Sequence, residues 1–153
     1  MKKLILILIV FTLFSTSGWC LASECIQGDC INGKGTYIFP GGGGQTYVGE
    51  FKNKKFHGSG MLNLGSGHIY MGEFMYGKFN GKGNVVVPGI GFYQGEFKNN
   101  KWHGIGILTS YKVGWVYSGE FKEGEINGKG IFTYPDGTEK AGAWKGTEYL
   151  GAE

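Results

Sequence analysis

Glutamate recurs at one position of a repeated pentapeptide, and this row of carboxylates is the first candidate for chemistry in the sequence. The four residues are Glu50, Glu73, Glu96 and Glu120. If they occupy alternate strands of a sheet, neighbouring carboxylates lie about 10 Å apart, because adjacent strands are separated by about 4.8 Å. That distance is too long for a coupled acid and base without help from other groups.

The same row admits a structural interpretation. Lysines occupy the middle of Gly-Lys-Gly motifs on the strands that should face the glutamates, so that Lys34 is predicted to oppose Glu50. By the same register Lys82 opposes Glu96. Exposed cross-strand ion pairs of about 0.2–1 kcal/mol then account for the row. A carboxylate row that binds a cation or another ligand, or that serves a hydrolase, is the alternative.

Two histidines are candidates for general bases. His57 and His103 each precede Gly-x-Gly, but asparagine stands at the same position in the other copies, at 32, 80 and 127. Since Asn and His both tolerate a positive φ, we predict that this position shapes a turn. His68 has no counterpart in the other copies.

Motifs for nucleophilic or phosphate chemistry are missing from the sequence. No serine lies in a G-x-S-x-G motif. The run Gly41–Gly44 is not followed by Gly-Lys-Ser/Thr and a helix, so it is not a phosphate loop. We predict that the protein is not an enzyme and has no cofactor.

Cys25 and Cys30 are separated by four residues and suggest a short-loop disulfide, provided that the compartment is oxidising. Free thiols are the main alternative. A catalytic or metal-binding role is weaker, because the spacing is not C-x2-C and no second Cys/His pair lies at zinc spacing. No metal site is predicted.

The first 22 residues resemble a secretory signal peptide. Lys2 and Lys3 precede the apolar run Leu4–Phe14, which is too short to span a bilayer core of about 30 Å, and cleavage is expected after Ala22. A lipoprotein with Cys20 as its first residue, or a retained signal anchor, is less favoured. These features predict a secreted or periplasmic protein.

Composition argues against nucleic acid as a partner. Lys2 and Lys3 would be removed with the signal peptide. The mature chain would then contain 13 of the 15 basic residues and 12 acidic residues, which gives a net charge close to zero. The sequence contains no arginine. A nearly neutral chain without arginine lacks the basic stripe that is typical of nucleic-acid-binding proteins.

Copies of the pentapeptide begin 23 or 24 residues apart, and this periodicity predicts a repeat architecture. YVGEF, YMGEF, YQGEF and YSGEF are followed by a degraded fifth copy, KAGAW, and they start at Tyr47, Tyr70, Tyr93, Tyr117 and Lys140. Each copy alternates as a strand does, with Tyr, Gly and Phe on one face. Between the copies, Asn or His precedes Gly-x-Gly and a second short strand.

We therefore predict an all-β fold, a single-layer antiparallel meander of repeated hairpins. Residues 23–31 form an N-terminal segment with the possible disulfide, residues 32–146 the array, and residues 147–153 a tail. Glycine between the two aromatic residues leaves room for rings to lie flat across the sheet. The predicted packing residues are Tyr47, Gly49, Phe51, Tyr70, Gly72, Phe74, Tyr93, Gly95, Phe97, Tyr117, Gly119 and Phe121.

The unit that runs from Tyr70-Met71-Gly72-Glu73-Phe74 to Asn80-Gly81-Lys82-Gly83 resembles the MORN repeat, and the resemblance extends over about 32–144. It implies an elongated single-layer antiparallel sheet. It also implies contact with proteins, dimerisation or, less securely, binding of anionic phospholipid. Choline-binding repeats are a weaker match, because Gly114-Trp115 is the only Gly-Trp pair after the predicted signal peptide, and such pairs are what these repeats favour.

Together these features predict a non-enzymatic extracytoplasmic scaffold that presents a sheet surface to an unidentified protein partner or to a second copy. The aromatic face and the two edge strands are the candidate surfaces. The alternative is a peripheral module that binds membrane phospholipid. The near-zero charge and the lack of a polybasic run weigh against that alternative.

Overall fold

The computed structural model describes residues 24–41 and 43–152. The predicted signal peptide, with Cys20 and Ala22, lies outside the described residues, as does Gly42 of the run Gly41–Gly44. In the described part of the chain no helix is present that could span a membrane.

Twelve antiparallel strands form one sheet, in which the spatial order is the same as the chain order. The strands are β1 (Glu24–Gly28), β2 (Lys34–Ile38), β3 (Thr46–Lys52), β4 (Lys55–Asn63), β5 (Ile69–Met75), β6 (Lys78–Val87), β7 (Gly91–Lys98), β8 (Lys101–Ser110), β9 (Val116–Lys122), β10 (Glu125–Thr133), β11 (Glu139–Lys145) and β12 (Glu148–Gly151). The predicted all-β antiparallel meander is confirmed.

The sheet extends beyond the predicted array at both ends. Strand β1 lies within the segment that was separated from the array, and β12 lies within the predicted tail of residues 147–153. Glu148 pairs with Lys145, and the ring of Tyr149 lies 4.9 Å from that of Trp144. The sequence pattern missed β12 because this strand carries no copy of the pentapeptide.

Tight two-residue turns lie along one edge of the sheet, which we call the tight-turn edge. Asn53 and Lys54 have φ values of 51° and 62°, and Asn99 and Asn100 have 53° and 69°. Two consecutive positive φ values identify type I′ turns, whose twist matches that of a hairpin. Tyr76–Gly77 and Glu123–Gly124 have the same pattern. The longer connections lie along the opposite edge, the loop edge.

A row of glycines crosses the sheet in register from β2 to β11. Its members are Gly35, Gly49, Gly60, Gly72, Gly83, Gly95, Gly106, Gly119, Gly130 and Gly142. Tyrosine rings cover this row on one face. A Cβ atom on Gly72 would lie only 2.7 Å from the hydroxyl of Tyr70 and 2.5 Å from the Cα of Gly83. The row therefore admits no side chain where the rings lie.

The rings over the glycine row form the core of the sheet. Tyr47, Tyr70, Tyr93 and Tyr117 are the largest fully buried side chains. Tyr70 stacks on Phe79 at 3.7 Å between ring centroids, and Phe97 meets it edge-on at 5.0 Å. Burial of such rings, at about 1.5–3 kcal/mol for each large apolar side chain, stabilises the sheet, on which no second layer packs within residues 24–41 and 43–152.

Candidate interaction surfaces

Each hairpin contains a bulge between the glycine row and the tight turn. The register shifts between Gly49 and Glu50 in β3–β4, and equivalent shifts occur in the next three hairpins. The bulged strand has positive φ at a glycine in each case: 55° at Gly58, 90° at Gly81, 58° at Gly104 and 126° at Gly128. We expected the preceding His or Asn to need this conformation, and that expectation was wrong. The left-handed backbone falls on the glycine, which lacks a Cβ.

The glutamate carboxylates lie against these bulges. The main-chain N–H of Lys82 donates to Glu73 Oε1 at 3.1 Å, and the N–H of Lys129 donates to Glu120 Oε2 at 2.6 Å. A bulge removes main-chain groups from the ladder, and the carboxylate accepts the N–H that is left over. Glu73 and Glu120 thus hold the bulges of their hairpins in place.

The predicted register between lysine and glutamate is confirmed, but ion pairing is only part of the account. Lys34 aligns with Glu50, and their Nζ and Oε1 atoms are 4.0 Å apart. Lys82 aligns with Glu96. Since carboxylates of the same row also accept main-chain N–H groups, the row is part of the backbone's hydrogen bonding.

Tyrosine hydroxyls complete each bulge. Tyr47 donates to the carbonyl oxygen of Glu50 at 2.8 Å, and Tyr93 donates to that of Glu96 at 2.9 Å. Burial, with a smaller contribution from the nearby Glu50 carboxylate, raises the pKa of Tyr47 to about 12, although hydrogen bonds to main-chain carbonyls act to lower it. The tyrosine therefore stays protonated as a donor.

Neither of the two histidines lies beside a catalytic partner among the residues that the structure describes. Nδ1 of His57 and of His103 are buried without a hydrogen-bond partner among the described residues. The ring of His57 lies 5.3 Å from that of Tyr76. Nothing places a nucleophile beside either imidazole within that part of the chain. Nor do any three His, Cys, Asp or Glu side chains of the described residues lie close enough to hold a metal ion.

An aromatic cleft opens at the N-terminal end of the tyrosine face. Cys25 and Cys30 are joined by a disulfide that forms one wall of it. The cleft has a volume of about 400 Å³. Its other lining residues are Ile31, Tyr37, Phe39, Phe51, Lys54 and Phe56.

The face opposite the tyrosines carries a second feature, an exposed row of side chains in register beside the glycine row. We call it the outer row, and it runs through Thr36, Val48, Met61, Met71, Asn84, Gln94, Ile107, Ser118, Ile131 and Ala141. Met71 is 53% exposed and Ile107 is 42% exposed. A shallow groove of about 470 Å³ lies over Val48, Met61 and Met71, with Glu73 and Lys82 at its side.

Comparison with known families is decisive for the identity of this array. The MORN repeat profile matches five segments, residues 31–44, 47–69, 70–84, 93–112 and 117–139. The chain belongs to the MORN-repeat family. MORN repeats are non-catalytic modules for protein or membrane interaction. No curated protein matches the chain.

Within the MORN unit, one structural position was missed by the sequence analysis. Phe56, Phe79 and Trp102 each follow a tight turn and stack on the tyrosine of their own hairpin, at centroid distances of 3.8, 3.7 and 4.7 Å. Their recurrence before the His or Asn of each unit is a signal that could have revealed them. They show that three of the MORN hairpins contribute three rings each to the tyrosine face, whereas the fourth has Ile126 at this position.

Proposed function

We propose that this MORN protein is a non-enzymatic scaffold outside the cytoplasm and that it binds a protein partner over its outer row. The observation that carries the proposal is the exposed apolar content of that row. The tyrosine face already supplies the buried core, so the sheet does not need Met71 or Ile107 for its own packing.

The composition of the outer row fits a protein interface. An exposed sheet face ordinarily carries polar side chains that alternate with the buried ones. Here Val48, Met61 and Met71 adjoin on three neighbouring strands, and Glu73 and Lys82 flank them. An apolar centre with a polar rim is the arrangement found in protein interfaces, and methionine is enriched there.

The extracytoplasmic location is proposed from two features. The first 22 residues have the pattern of a signal peptide. The disulfide between Cys25 and Cys30 is of the kind that persists in secreted and periplasmic proteins.

Charge placed on the outer row tests the proposal. In the native cell envelope, the tagged wild-type protein should migrate on native gels as part of a larger complex. Met71→Glu combined with Ile107→Glu should return it to the size of the free chain, with little change in Tm, because both side chains are exposed. Val113→Glu is the matched control, since Val113 is 54% exposed on the loop edge. Equal migration of all three proteins would refute the proposal.

A further inference from the structure

The tight-turn edge gathers lysines that are far apart in the sequence. Lys52 and Lys55 flank the first type I′ turn and Lys54 lies within it, whereas Lys78 follows the second turn and Lys98 precedes the third. All five are exposed. We call this set the basic edge. The stretches 51–56, 74–79 and 97–102, which contain these turns, have no acidic residue.

Cross-strand pairing makes the basic edge locally unfavourable. Lys52 lies directly opposite Lys55, and Lys98 lies opposite Lys101. Like charges at such positions destabilise a hairpin.

The same two positions in the last two hairpins carry opposite charges. Lys122 opposes Glu125, and Lys145 opposes Glu148. The fold therefore accepts glutamate at the position of Lys55, and stability alone favours it. The unfavourable lysine pairs of the first and third hairpins are absent from the last two hairpins of the same chain. Such a cost to stability indicates a functional requirement for the lysines.

Acidic side chains lie at both ends of the basic edge. Lys101 Nζ lies 2.9 Å from Glu123 Oε2. The positive charge at the third turn is therefore partly neutralised by the carboxylate of the fourth turn. At the N-terminal end, the Asp29 carboxylate accepts the N–H groups of Ile31 and Asn32. These hydrogen bonds lower the pKa of Asp29, which keeps it charged.

The turns are held in fixed relative positions. The N–H of Lys54 donates to the carbonyl of Ile31 at 3.0 Å, and that of Gly77 donates to the carbonyl of Phe56 at 2.8 Å. Asn100 makes the same contact with Phe79 at 3.0 Å. Successive turns lie two strands apart, at about 10 Å. The lysines of the basic edge are thus presented at a regular spacing.

We infer that the basic edge binds an extended acidic polypeptide segment. Three residues of an extended chain span about 10 Å, so carboxylates at every third residue match the spacing of the turns. Twist rotates successive turns by about 40–50°, because adjacent strands differ by about 20–25°. A flexible chain can follow that rotation, whereas a flat membrane meets only one turn at a time. The inference is independent of the proposed function, because the outer row and the basic edge share no residue.

A labelled peptide of about ten glutamates tests the inference by fluorescence anisotropy with the folded protein at low salt and at about 0.15 M salt. The basic-edge variant is Lys52→Gln with Lys54→Gln and Lys55→Gln. Its matched control, Lys82→Gln with Lys112→Gln and Lys140→Gln, removes the same charge from exposed lysines that lie away from the tight turns. We expect binding to weaken at least about tenfold in the basic-edge variant, as for three ion pairs of about 0.5 kcal/mol each. The control should bind within about twofold of wild type.

A single substitution separates binding from stability. Lys55→Glu copies the charge pair of Lys122 and Glu125, so it should raise Tm by about 1–4 °C while it weakens peptide binding several-fold. Equal weakening in both triple variants would refute a local site. Tighter binding of inorganic polyphosphate, or of vesicles that contain phosphatidylglycerol, would refute the assignment to an acidic polypeptide.

Discussion

The hydroxyl of Tyr70 donates a hydrogen bond to the main-chain carbonyl of Glu73, at 2.9 Å; this hydroxyl lies against Gly72, and the ring lies against Gly83. Glu73 in turn accepts the N–H of Lys82 through Oε1. One hairpin thus links a ring, a glycine and a carboxylate into a single support for its bulge. This arrangement gives the Tyr, Gly and Glu of the pentapeptide a structural role.

Loss of the tyrosine hydroxyl should destabilise the sheet without disturbing its packing. Tyr70→Phe keeps the stacked ring and leaves the Glu73 carbonyl without this donor. The expected loss is about 1–2 kcal/mol in the free energy of unfolding, measured by urea denaturation. Tyr134→Phe, at an exposed position, is the control and should change stability by less than about 0.5 kcal/mol. Equal effects from the two substitutions would contradict the role of the hydroxyl.

A side chain on the glycine row should be strongly destabilising. The Cβ of Gly72→Val would lie 2.6 Å from the carbonyl oxygen of Lys82 and 2.5 Å from the Cα of Gly83. Because both atoms are main-chain, they cannot move aside, and we expect a loss of about 3 kcal/mol or more in the free energy of unfolding. Gly43→Val is the control, since its nearest neighbour is the Gln45 side chain at 3.9 Å. An unchanged melting temperature for Gly72→Val would rule out this packing.

The free energy of unfolding should fall as pH rises from 10 to 12, because the buried tyrosines ionise more readily in the unfolded chain. Burial raises the pKa of Tyr47 to about 12 from its ordinary value of 10.0 and also raises the pKa of Tyr70 and Tyr93. A raised pKa in the folded state means that the stabilisation is complete below pH 10 and is lost as pH rises towards 12. Urea denaturation across this range should show the decline, with a shallower slope in Tyr70→Phe. A stability that stays constant up to pH 12 would contradict the burial of the phenols.

The carboxylate of Glu73 should act through hydrogen bonding. Glu73→Gln keeps an oxygen that can accept the Lys82 N–H, so its stability should stay within about 0.5 kcal/mol of wild type. Glu73→Ala should lose about 1–2 kcal/mol, because that N–H then has no side-chain acceptor. Thermal and urea denaturation measure the stability of both variants. A hydrolytic activity abolished by Glu73→Gln at full stability would instead support the enzyme alternative.

The sequence was informative where a local rule decides the structure. Alternation placed Tyr47 and Phe51 on one face, and the turn residues predicted that Lys34 aligns with Glu50. The sequence did not predict which of two adjacent residues adopts a required conformation. His57 and Gly58 are both candidates for a positive φ, and only the carboxylate of Glu50, lying where a Cβ of Gly58 would stand, selects the glycine.

The sequence also did not predict the basic edge, because this edge forms only when the strands pair into a sheet. Lys55 and Lys78 are separated by 23 residues, so the sequence shows no polybasic run. They come together because each hairpin turns at the same edge, which only the pairing of all the strands establishes. The basic edge is a property of the array and not of any one repeat.

Site-specific photo-crosslinking tests the scaffold proposal most directly. A photoreactive amino acid at Met71, on the outer row, is compared in native cells with the same residue at Val113, on the loop edge. We predict that one discrete protein is crosslinked from Met71 and is absent from Val113, and that Ile107→Glu in the same chain abolishes that product. Crosslinks from Met71 to phospholipid alone, or the same products from both positions, would contradict the account.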